Sequence, residues 1–241
     1  MRRIPMRGTL LNAACVAVGA AIGLLVRSSA PEALMSVALQ GLGLVTMGIG
    51  FKMFLEGKNV LIVAFSVAIG GVVGNLLGIQ EGLGQLADWA KTSAGSLGTG
   101  RFQEALVTTT VLFCVGPMTL LGCLEDALEN KSDLLALKSV MDGISSIFFA
   151  ALLGPGVLVT AVVVLVFQGT LTLLARYLKP VADNPALLSE IVATGGALMI
   201  AIGLGLAEIV KIPAATYLPA LVLAGVLAAL VQRMPKARAV S

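Results

Sequence analysis

Long runs of apolar residues, separated by short polar segments, fill almost the whole of the 241-residue chain. A helix needs about 20 mostly apolar residues to cross the hydrocarbon core of a membrane. Charged residues, Gly and Pro divide the chain into eight candidate spans: residues 8–26, 33–55, 59–79, 104–124, 139–153, 157–177, 186–210 and 214–231. The pattern predicts an all-α, polytopic transmembrane bundle of about eight helices in one domain over residues 1–241.

The longest predicted loop follows span 3, and its apolar residues recur at helical spacing, as in a helix on the membrane surface. These residues are Ile79, Leu83, Leu86 and Ala90, beside Trp89. A connector whose apolar face packs on the bundle fits the same pattern. The small residues of 93–100 are typical of a flexible linker. The predicted order is a first half with this helix (8–92), a linker (93–103), broken spans 4 and 5 (104–156) and a second half (157–233).

The composition is that of a membrane protein. Hydrophobic residues make up 58% of the chain and charged residues 12%, and the mean hydropathy is +1.00, whereas soluble domains have about 25% charged residues. The net charge of +3 comes without a basic stripe and interleaved aromatic residues, so we expect no nucleic-acid partner. The lipid bilayer is the expected surrounding.

Lys and Arg predict the orientation of the spans, because basic residues concentrate in cytoplasmic loops. With eight spans, both termini and the loops after spans 2, 4 and 6 share one side. That side holds twelve of the 16 basic residues: Arg2, Arg3, Arg7, Lys52, Lys58, Lys131, Lys138, Arg176, Lys179, Arg233, Lys236 and Arg238. The other side holds Arg27, Lys91, Arg101 and Lys211. The asymmetry predicts cytoplasmic termini in an inner (cytoplasmic) membrane.

The chain offers few groups for metal binding or catalysis. It has no histidine, and Cys15, Cys114 and Cys123 lie in or beside apolar runs without Cys-x-x-Cys spacing. No recognisable pair of reactive groups suggests hydrolysis. We therefore expect no metal, no cofactor and no enzymatic activity.

A shift of 155 residues matches spans 2 and 3 to spans 7 and 8 without a gap. It places Val37, Ala38, Gly41, Gly48, Gly50, Val67 and Gly70 on Val192, Ala193, Gly196, Gly203, Gly205, Val222 and Gly225. Five crossings separate the matched spans, so the two halves would have opposite orientation. Inverted repeats of this kind, here spans 1–3 and 6–8, are typical of secondary transporters. Chance identity between Gly- and Val-rich helices is the other explanation.

Small residues form stripes on two spans. Ser66, Gly70, Gly74 and Gly78 recur every four residues on span 3, and Gly19 and Gly23 do so on span 1. Such stripes are faces for close helix packing, within a subunit or between subunits. They would permit a homo-oligomer without requiring one.

Span 4 is interrupted by Gly116-Pro117, near Thr109 and Cys114. Proline removes a helix hydrogen bond, and the freed carbonyl needs a neighbouring helix, a water or a ligand. Span 5 is short and ends at Gly154-Pro155-Gly156. Two interrupted spans indicate the binding site of a transporter, although a kink satisfied by local hydroxyl groups would have the same sequence.

Polar side chains inside the spans are the remaining candidates for a site. Asp142 is an ionisable residue within span 5, and such residues are by default functional. An interfacial charge that pairs with Lys138, four residues earlier, is the alternative, and Glu190 is equally ambiguous. Amides occur at Asn12, Gln40, Asn75 and Gln168, where they could bond other helices or line a cavity. The predicted substrate-binding residues are Asp142, Ser145, Ser146, Thr109, Cys114, Gly116, Pro117, Asn12, Gln40 and Gln168.

Several short motifs resemble those of a known family. They are Gly-Thr-Leu-Leu-Asn at 8–12, Gln-Gly-Leu-Gly-Leu at 40–44, Ile-Gly-Phe-Lys-Met at 49–53, Leu-Phe-Cys-Val-Gly at 112–116, Asp-Gly-Ile-Ser-Ser at 142–146 and Gln-Gly at 168–169. Over nearly its whole length the chain resembles domain of unknown function 554, the YqgA-like family of bacterial integral membrane proteins. It departs from the family at Gly74-Asn75, where Gly-Glu is expected, and at Pro117, where a small residue is usual. The resemblance implies a polytopic bacterial inner-membrane protein and a candidate transporter, without a substrate.

The leading hypothesis is therefore a secondary transporter or channel for a small solute or ion of unknown identity. Spans 4 and 5 would form its pathway between two inverted units. A non-transporting membrane scaffold or regulatory protein, in which the polar residues only join helices, is the alternative.

Overall fold

The computed structural model describes residues 6–27, 31–94 and 101–233, and every regular element in these ranges is helical. The α-helices are α1 (Arg7–Arg27), α2 (Glu32–Phe54), α3 (Val60–Leu76), α4 (Ile79–Ala94), α5 (Phe102–Cys114), α6 (Pro117–Leu128), α7 (Asp133–Leu153), α8 (Gly156–Leu173), α9 (Ala175–Ala182), α10 (Pro185–Leu206) and α11 (Pro219–Arg233). A 3₁₀ turn at Ala214–Tyr217 precedes α11. The predicted all-α class is confirmed.

Six helical segments are long and apolar enough to cross a membrane, namely α1, most of α2, α7, α8, α10 and the segment Ala214–Gln232. Two bent pairs pass the same test together: α3 with the start of α4, at 50°, and α5 with α6, at 60°. The described chain thus has six to eight candidate spans, in agreement with the prediction of about eight. Many large apolar side chains on their outer faces are exposed, as a bilayer requires.

The helices α1 and α7 pack side by side in the same direction. A Cβ atom added to Gly19 would collide with the Gly143 carbonyl oxygen, and one added to Gly23 would collide with that of Ile147. Both contacts advance by four residues along each helix, so the two helices are parallel. Close backbone approach through small residues is a common way to pack membrane helices.

The helices α2 and α10 also pack through glycines, but in opposite directions. A Cβ atom on Gly43 would lie 2.8 Å from the Gly203 carbonyl oxygen, and one on Gly50 would lie 2.9 Å from that of Gly196. The contact positions rise along α2 as they fall along α10. These two helices are therefore antiparallel, as expected for spans 2 and 7 of eight.

These directions decide how α5 and α6 cross. The helices α1, α2 and α3 cross the bundle in alternating directions, so α3 runs in the same direction as α1. Because α7 is also parallel to α1, the chain must cross once in the opposite direction between α3 and α7. The bent pair α5 and α6 makes this crossing. The remaining helices α8, α10 and α11 then alternate, and Arg7 and Arg233 lie on the same side of the bundle. We call this the terminal side; the opposite, distal side holds the α3–α5 and α10–α11 connections.

One apolar core joins the pair α1 and α7 to the pair α2 and α10. Buried residues from α1, α2, α5, α7, α8 and α10 contact one another at its centre, among them Val16, Leu39, Phe113, Phe149, Val164 and Leu198. The interrupted span 4 thus lies inside the bundle and not at its edge.

The helix α7 differs from the predicted span 5. It begins at Asp133 instead of residue 139, runs 21 residues without interruption and ends at Leu153. The Gly154-Pro155-Gly156 sequence is the turn between α7 and α8, so the predicted break lies between two spans and not within one. Lys138, assigned above to a cytoplasmic loop, is buried inside α7. The predicted span 6 is also divided, because α8 ends at Leu173 and α9 is a separate short helix.

The segments matched by the internal shift pack against each other, but the matched glycines do not play equivalent parts in the contact. Gly41 and Gly48, which the shift of 155 places on Gly196 and Gly203, have no atom within 4 Å of an added Cβ. The packed pair Gly43 and Gly50 instead matches Gly196 and Gly203 at a shift of 153. The inverted repeat therefore stays a prediction.

The glycine stripes pack within the chain. Gly70 lies against Ala220 and Gly74 against the Thr216 carbonyl, both in the segment that forms span 8. Gly78 has a φ of +61°, the left-handed conformation that suits glycine, and it forms the bend between α3 and α4. The predicted helix after span 3 is present as α4; its place on a membrane surface stays a prediction. The predicted linker at 93–100 lies largely outside the described residues.

Candidate functional site

The candidate site is centred on Asp142 at the middle of α7. Asp142 is the tenth of 21 residues in this helix, which places it about 14 Å from the helix start. It is only 6% exposed. Asp142 is therefore a buried carboxylate at the middle of a helix long enough to cross a membrane.

Asp142 is held by groups from two helices. Lys138 Nζ donates to Oδ1 at 2.9 Å and to Oδ2 at 2.7 Å, and Asn12 Nδ2 of α1 donates to Oδ2 at 3.0 Å. Lys138 is 7% exposed and Asn12 is fully buried. The pairing with Lys138 predicted as the alternative is thus present, but two turns deep in the bundle. Burying such a pair costs several kcal/mol per ion before the attraction offsets it, so stability alone is a weak reason for it.

The end of α5 lies beside this ion pair. The Phe113 ring centroid is 5.9 Å from Lys138 Nζ, within the range of a cation–π contact. Cys114 is buried and lies close enough to Lys138 and Asp142 to interact with their charges. The helix ends here, so the interruption in span 4 and the ion pair in span 5 are adjacent.

Three buried amide atoms at the level of the ion pair have no hydrogen-bond partner among the described residues. They are Asn12 Oδ1 and both amide atoms of Gln168, a fully buried residue of α8. The Thr9 and Thr172 hydroxyls meet at 3.3 Å between α1 and α8. Asn12 lies one turn after Thr9 on α1, and Gln168 lies one turn before Thr172 on α8. Because the two helices are antiparallel, both residues are displaced in the same direction and lie at the same level in the bundle.

Unpartnered buried polar atoms need an explanation, because each costs about 1–3 kcal/mol. Water, an ion or a ligand normally satisfies such groups. The orphaned atoms, the ion pair and Phe113 together form what we call the polar cluster: Asn12, Phe113, Lys138, Asp142 and Gln168. It can offer both donors and acceptors to a small polar species.

The hydroxyl groups nearby are engaged by helix backbone. Ser146 Oγ donates to the Asp142 carbonyl at 2.7 Å, and Thr109 Oγ1 bonds the Ala105 carbonyl and Thr160 Oγ1 at 2.7 and 2.6 Å. Ser145 is half-buried on α7. Thr109 thus belongs to the α5–α8 contact and not to the polar cluster.

The structure leaves three other candidates away from the cluster. Gln40 and Asn75 are exposed, on α2 and at the end of α3. Glu190 is buried at the start of α10, where Oε1 accepts from the backbone N–H groups of Lys58 and Asn59, both at 2.9 Å. Glu190 therefore fixes the start of α3 through one oxygen, while its Oε2 has no partner among the described residues.

The break between α5 and α6 combines local satisfaction with open space. Thr119 Oγ1 donates to the Phe113 carbonyl at 3.1 Å, which satisfies one carbonyl freed by Pro117. A Cβ atom added to Gly116 would meet nothing within 4 Å. The kink is thus stabilised by a hydroxyl, as one interpretation predicted, and the space beside the partly exposed Gly116 is open.

A cavity of about 480 Å³ opens on the distal side. We call it the vestibule; it lies between the starts of α4 and α5, the end of α10 and the following loop. Its polar lining is formed by Gln80, Arg101, Gln103, Glu104, Thr108 and Lys211. Arg101 also pairs with Glu208 at 3.0 Å. Thr108, at the buried end, is six residues from Cys114 on the same helix, about 9 Å.

Comparison with known proteins places this architecture in a family. The model of "Protein of unknown function (DUF554)" matches residues 7–229. The chain belongs to the DUF554 family. "Uncharacterized membrane protein YdfK" of Bacillus subtilis (strain 168) is 28% identical over 222 residues, which are 90% of this chain and 93% of the relative. "Uncharacterized protein YqgA" of Escherichia coli (strain K12) is 27% identical over 221 residues, 90% of this chain and 94% of the relative. No solved structure matches the chain.

In this DUF554 member, Gly74-Asn75, one place at which the sequence departs from the expected family pattern, is not part of the polar cluster. Asn75 is exposed on α3, a helix that packs against α11 and not against α7. The vestibule residues were missed in the sequence, although Arg101 and Lys211 were both predicted on the distal side. Phe113 was also missed, because an aromatic residue in an apolar run gives no signal of its own.

Proposed function

We propose that the protein is a secondary transporter or channel for a small solute or ion in a bacterial cytoplasmic membrane. The observation that carries this proposal is the set of three buried amide atoms that have no partner among the described residues, at the level of a buried ion pair in the middle of α7. Ionisable residues in membrane spans commonly mark substrate or ion pathways. A polar species bound between α1, α7 and α8 would satisfy these atoms.

The proposed pathway starts in the vestibule and follows α5 to the break at Gly116 and the polar cluster. Val111, between the vestibule and the cluster, is almost completely buried, and so is Phe113 of the cluster itself. The passage is therefore closed, and α5 and α6 would have to move for a solute to reach the cluster. Interrupted helices at the midplane provide such motion in many secondary transporters.

The proposed orientation has the terminal side in the cytoplasm. With Lys138 assigned to α7, eleven of the remaining fifteen basic residues still belong to that side and four to the distal side. The vestibule would then open to the outside of the cell.

Solute uptake into proteoliposomes tests the proposal. The panel includes inorganic ions, small carboxylates and uncharged polar solutes, with empty vesicles as the background. Asp142→Asn should change the uptake of the transported solute, while Asp133→Asn, an exposed carboxylate on the same helix, should not. Uptake equal to background for the whole panel, from protein that is folded, would refute the proposal.

A scaffold role is the second candidate, and one observation favours it. Asp142 already has Lys138 and Asn12 as partners, so it needs no ligand for itself. A scaffold would leave Gln168 bonded only to ordered water. It predicts no uptake of any solute and no effect of Asp142→Asn beyond a loss of stability.

A further inference from the structure

The charges of the polar cluster are balanced within it. Lys138 faces Asp142 at 2.7 Å, and both side chains are over nine-tenths buried. A buried charge needs a partner, because leaving one unpaired is strongly unfavourable. Any charged solute that binds here must therefore displace one member of the pair, and the displaced member must be neutralised.

Three hydrogen-bond donors belong to the cluster. Lys138 Nζ and Asn12 Nδ2 now donate to Asp142, while Gln168 Nε2 has no acceptor among the described residues. An ammonium and two amide N–H₂ groups at one level are suited to the oxygens of a small anion. A cation would meet the ammonium group of Lys138 instead, and the one carboxylate of the cluster, Asp142, is already paired with that group.

No other charge in this region would take over the role of Asp142. The elements packed against α7 carry ionisable groups at Arg7, Cys15 and Arg27 of α1, Glu32 and Lys52 of α2, Glu104 and Cys114 of α5, and Cys123, Glu125 and Asp126 of α6, while α8 has none. Arg27, Glu32 and Glu104 belong to the distal ends of their helices, far from the middle of α7. Asp126 is already engaged, since it accepts from the Gly8 N–H at 3.1 Å and lies near Arg7. The thiols carry no charge in their protonated form.

We propose that the cluster binds a small organic anion, such as a carboxylate, together with one proton. This inference rests on the proposed transport function and names its substrate class and coupling ion. The proton binds to the Asp142 carboxylate, which then releases Lys138 Nζ to the oxygens of the anion. One positive and one negative charge enter together, so the net charge of the cluster is unchanged. After the anion leaves, Asp142 loses its proton and binds Lys138 again.

The test uses purified full-length protein in proteoliposomes with an entrapped pH-sensitive dye. Formate, lactate and methanesulfonate are the probes; methanesulfonate is the anion of a strong acid and does not cross membranes as the free acid. An inside-alkaline gradient of one pH unit should drive about tenfold accumulation of the transported anion. With 1:1 coupling, the ratio of anion inside to anion outside becomes equal at equilibrium to the ratio of protons outside to protons inside. Dye acidification should accompany uptake.

Two variants separate coupling from binding. Asp142→Asn keeps Lys138 as a permanent anion site, so uptake should continue but should show no accumulation in a pH gradient. The double variant Lys138→Met with Asp142→Asn leaves no buried charge and should lose anion uptake. Asp133→Asn should behave as wild type in both assays.

The outcomes distinguish this inference from the proposed function. Uptake of a cation or neutral solute without any of the three anions, or anion uptake with no response to the pH gradient, would overturn proton–anion coupling and leave transport intact. Wild-type accumulation in the double variant would overturn the role of Lys138. No uptake of any solute in the wider panel would refute both.

Discussion

At the residue scale, the polar cluster depends on the balance between Lys138 and Asp142. Removing either partner leaves an uncompensated buried charge, which costs about 3–5 kcal/mol in buried pairs. We expect Lys138→Met and Asp142→Asn each to lower the unfolding temperature in detergent. The double variant Lys138→Met with Asp142→Asn should lose less stability than the two single variants lose together.

The exposed pair Glu129 and Lys131 is the matched control for this cycle. It lies outside the spans, with both side chains more than half exposed. Lys131 lowers the pKa of Glu129 through a hydrogen bond and its charge, but solvent screens such pairs. Lys131→Met should change the unfolding temperature far less than Lys138→Met. Equal effects of both variants would contradict the buried ion pair.

Gln168 should show opposite effects on stability and on function. Its amide is fully buried and both polar atoms are without partners among the described residues. Each buried polar atom without a hydrogen bond costs about 1–3 kcal/mol. Gln168→Leu removes this cost, so we expect a higher unfolding temperature. It also removes a donor of the proposed site, so we expect a loss of uptake. Asn75→Leu, which replaces an exposed amide on α3, should change neither. A destabilised Gln168→Leu protein with normal uptake would show that the amide only joins helices.

The sequence predicts some of these residues and not others for a physical reason. Asn12, Asp142 and Gln168 stand out because polar groups are costly in lipid. Gln40 has the same chemistry but faces outward, and α2 is apolar all around, so its pattern does not reveal which side packs. Lys138 was assigned to a loop because a basic residue near an apolar run normally marks its end.

At the element scale, glycine positions on α2 give a prediction with an internal control. A Cβ atom on Gly50 would lie 2.8 Å from the Ile200 backbone nitrogen, whereas one on Gly48 would meet nothing within 4 Å. Gly50→Ala should destabilise the protein by about 1–3 kcal/mol, because neighbouring backbone must move. Gly48→Ala should be neutral or slightly stabilising, since alanine is the better helix former. Thermal unfolding in one detergent measures both.

The interruptions of the spans were only partly predictable. Pro117 lies inside an apolar run, and its missing N–H ends α5 regardless of tertiary contacts. The Gly154-Pro155-Gly156 sequence looks similar, but it follows a helix of full length. The difference depends on where α7 begins, and its start at Asp133 is not marked by any side-chain cap that the sequence would reveal.

At the scale of the whole molecule, composition sets the fold class, because a chain this apolar must satisfy its backbone in helices. Composition does not set which helices pack together. The parallel pair α1 and α7 and the antiparallel pair α2 and α10 are distant in sequence, and small residues occur on many faces. The relative directions of the helices in these two pairs nevertheless give a strong test of topology. One membrane crossing more or fewer along the chain would move every later loop to the other side.

Labelling of single cysteines tests this topology directly. Asp133 at the start of α7 and Lys211 after α10 are both exposed and should lie on opposite sides of the membrane. In a variant whose native cysteines are replaced, Asp133→Cys should react with a membrane-impermeant maleimide only after cells are opened, and Lys211→Cys should react in intact cells. If α5 and α6 instead formed a re-entrant loop, α7 would begin on the distal side and Asp133→Cys would be labelled from outside. That result would contradict the crossing inferred from the parallel packing of α1 and α7, and with it the placement of the polar cluster between the vestibule and the terminal side.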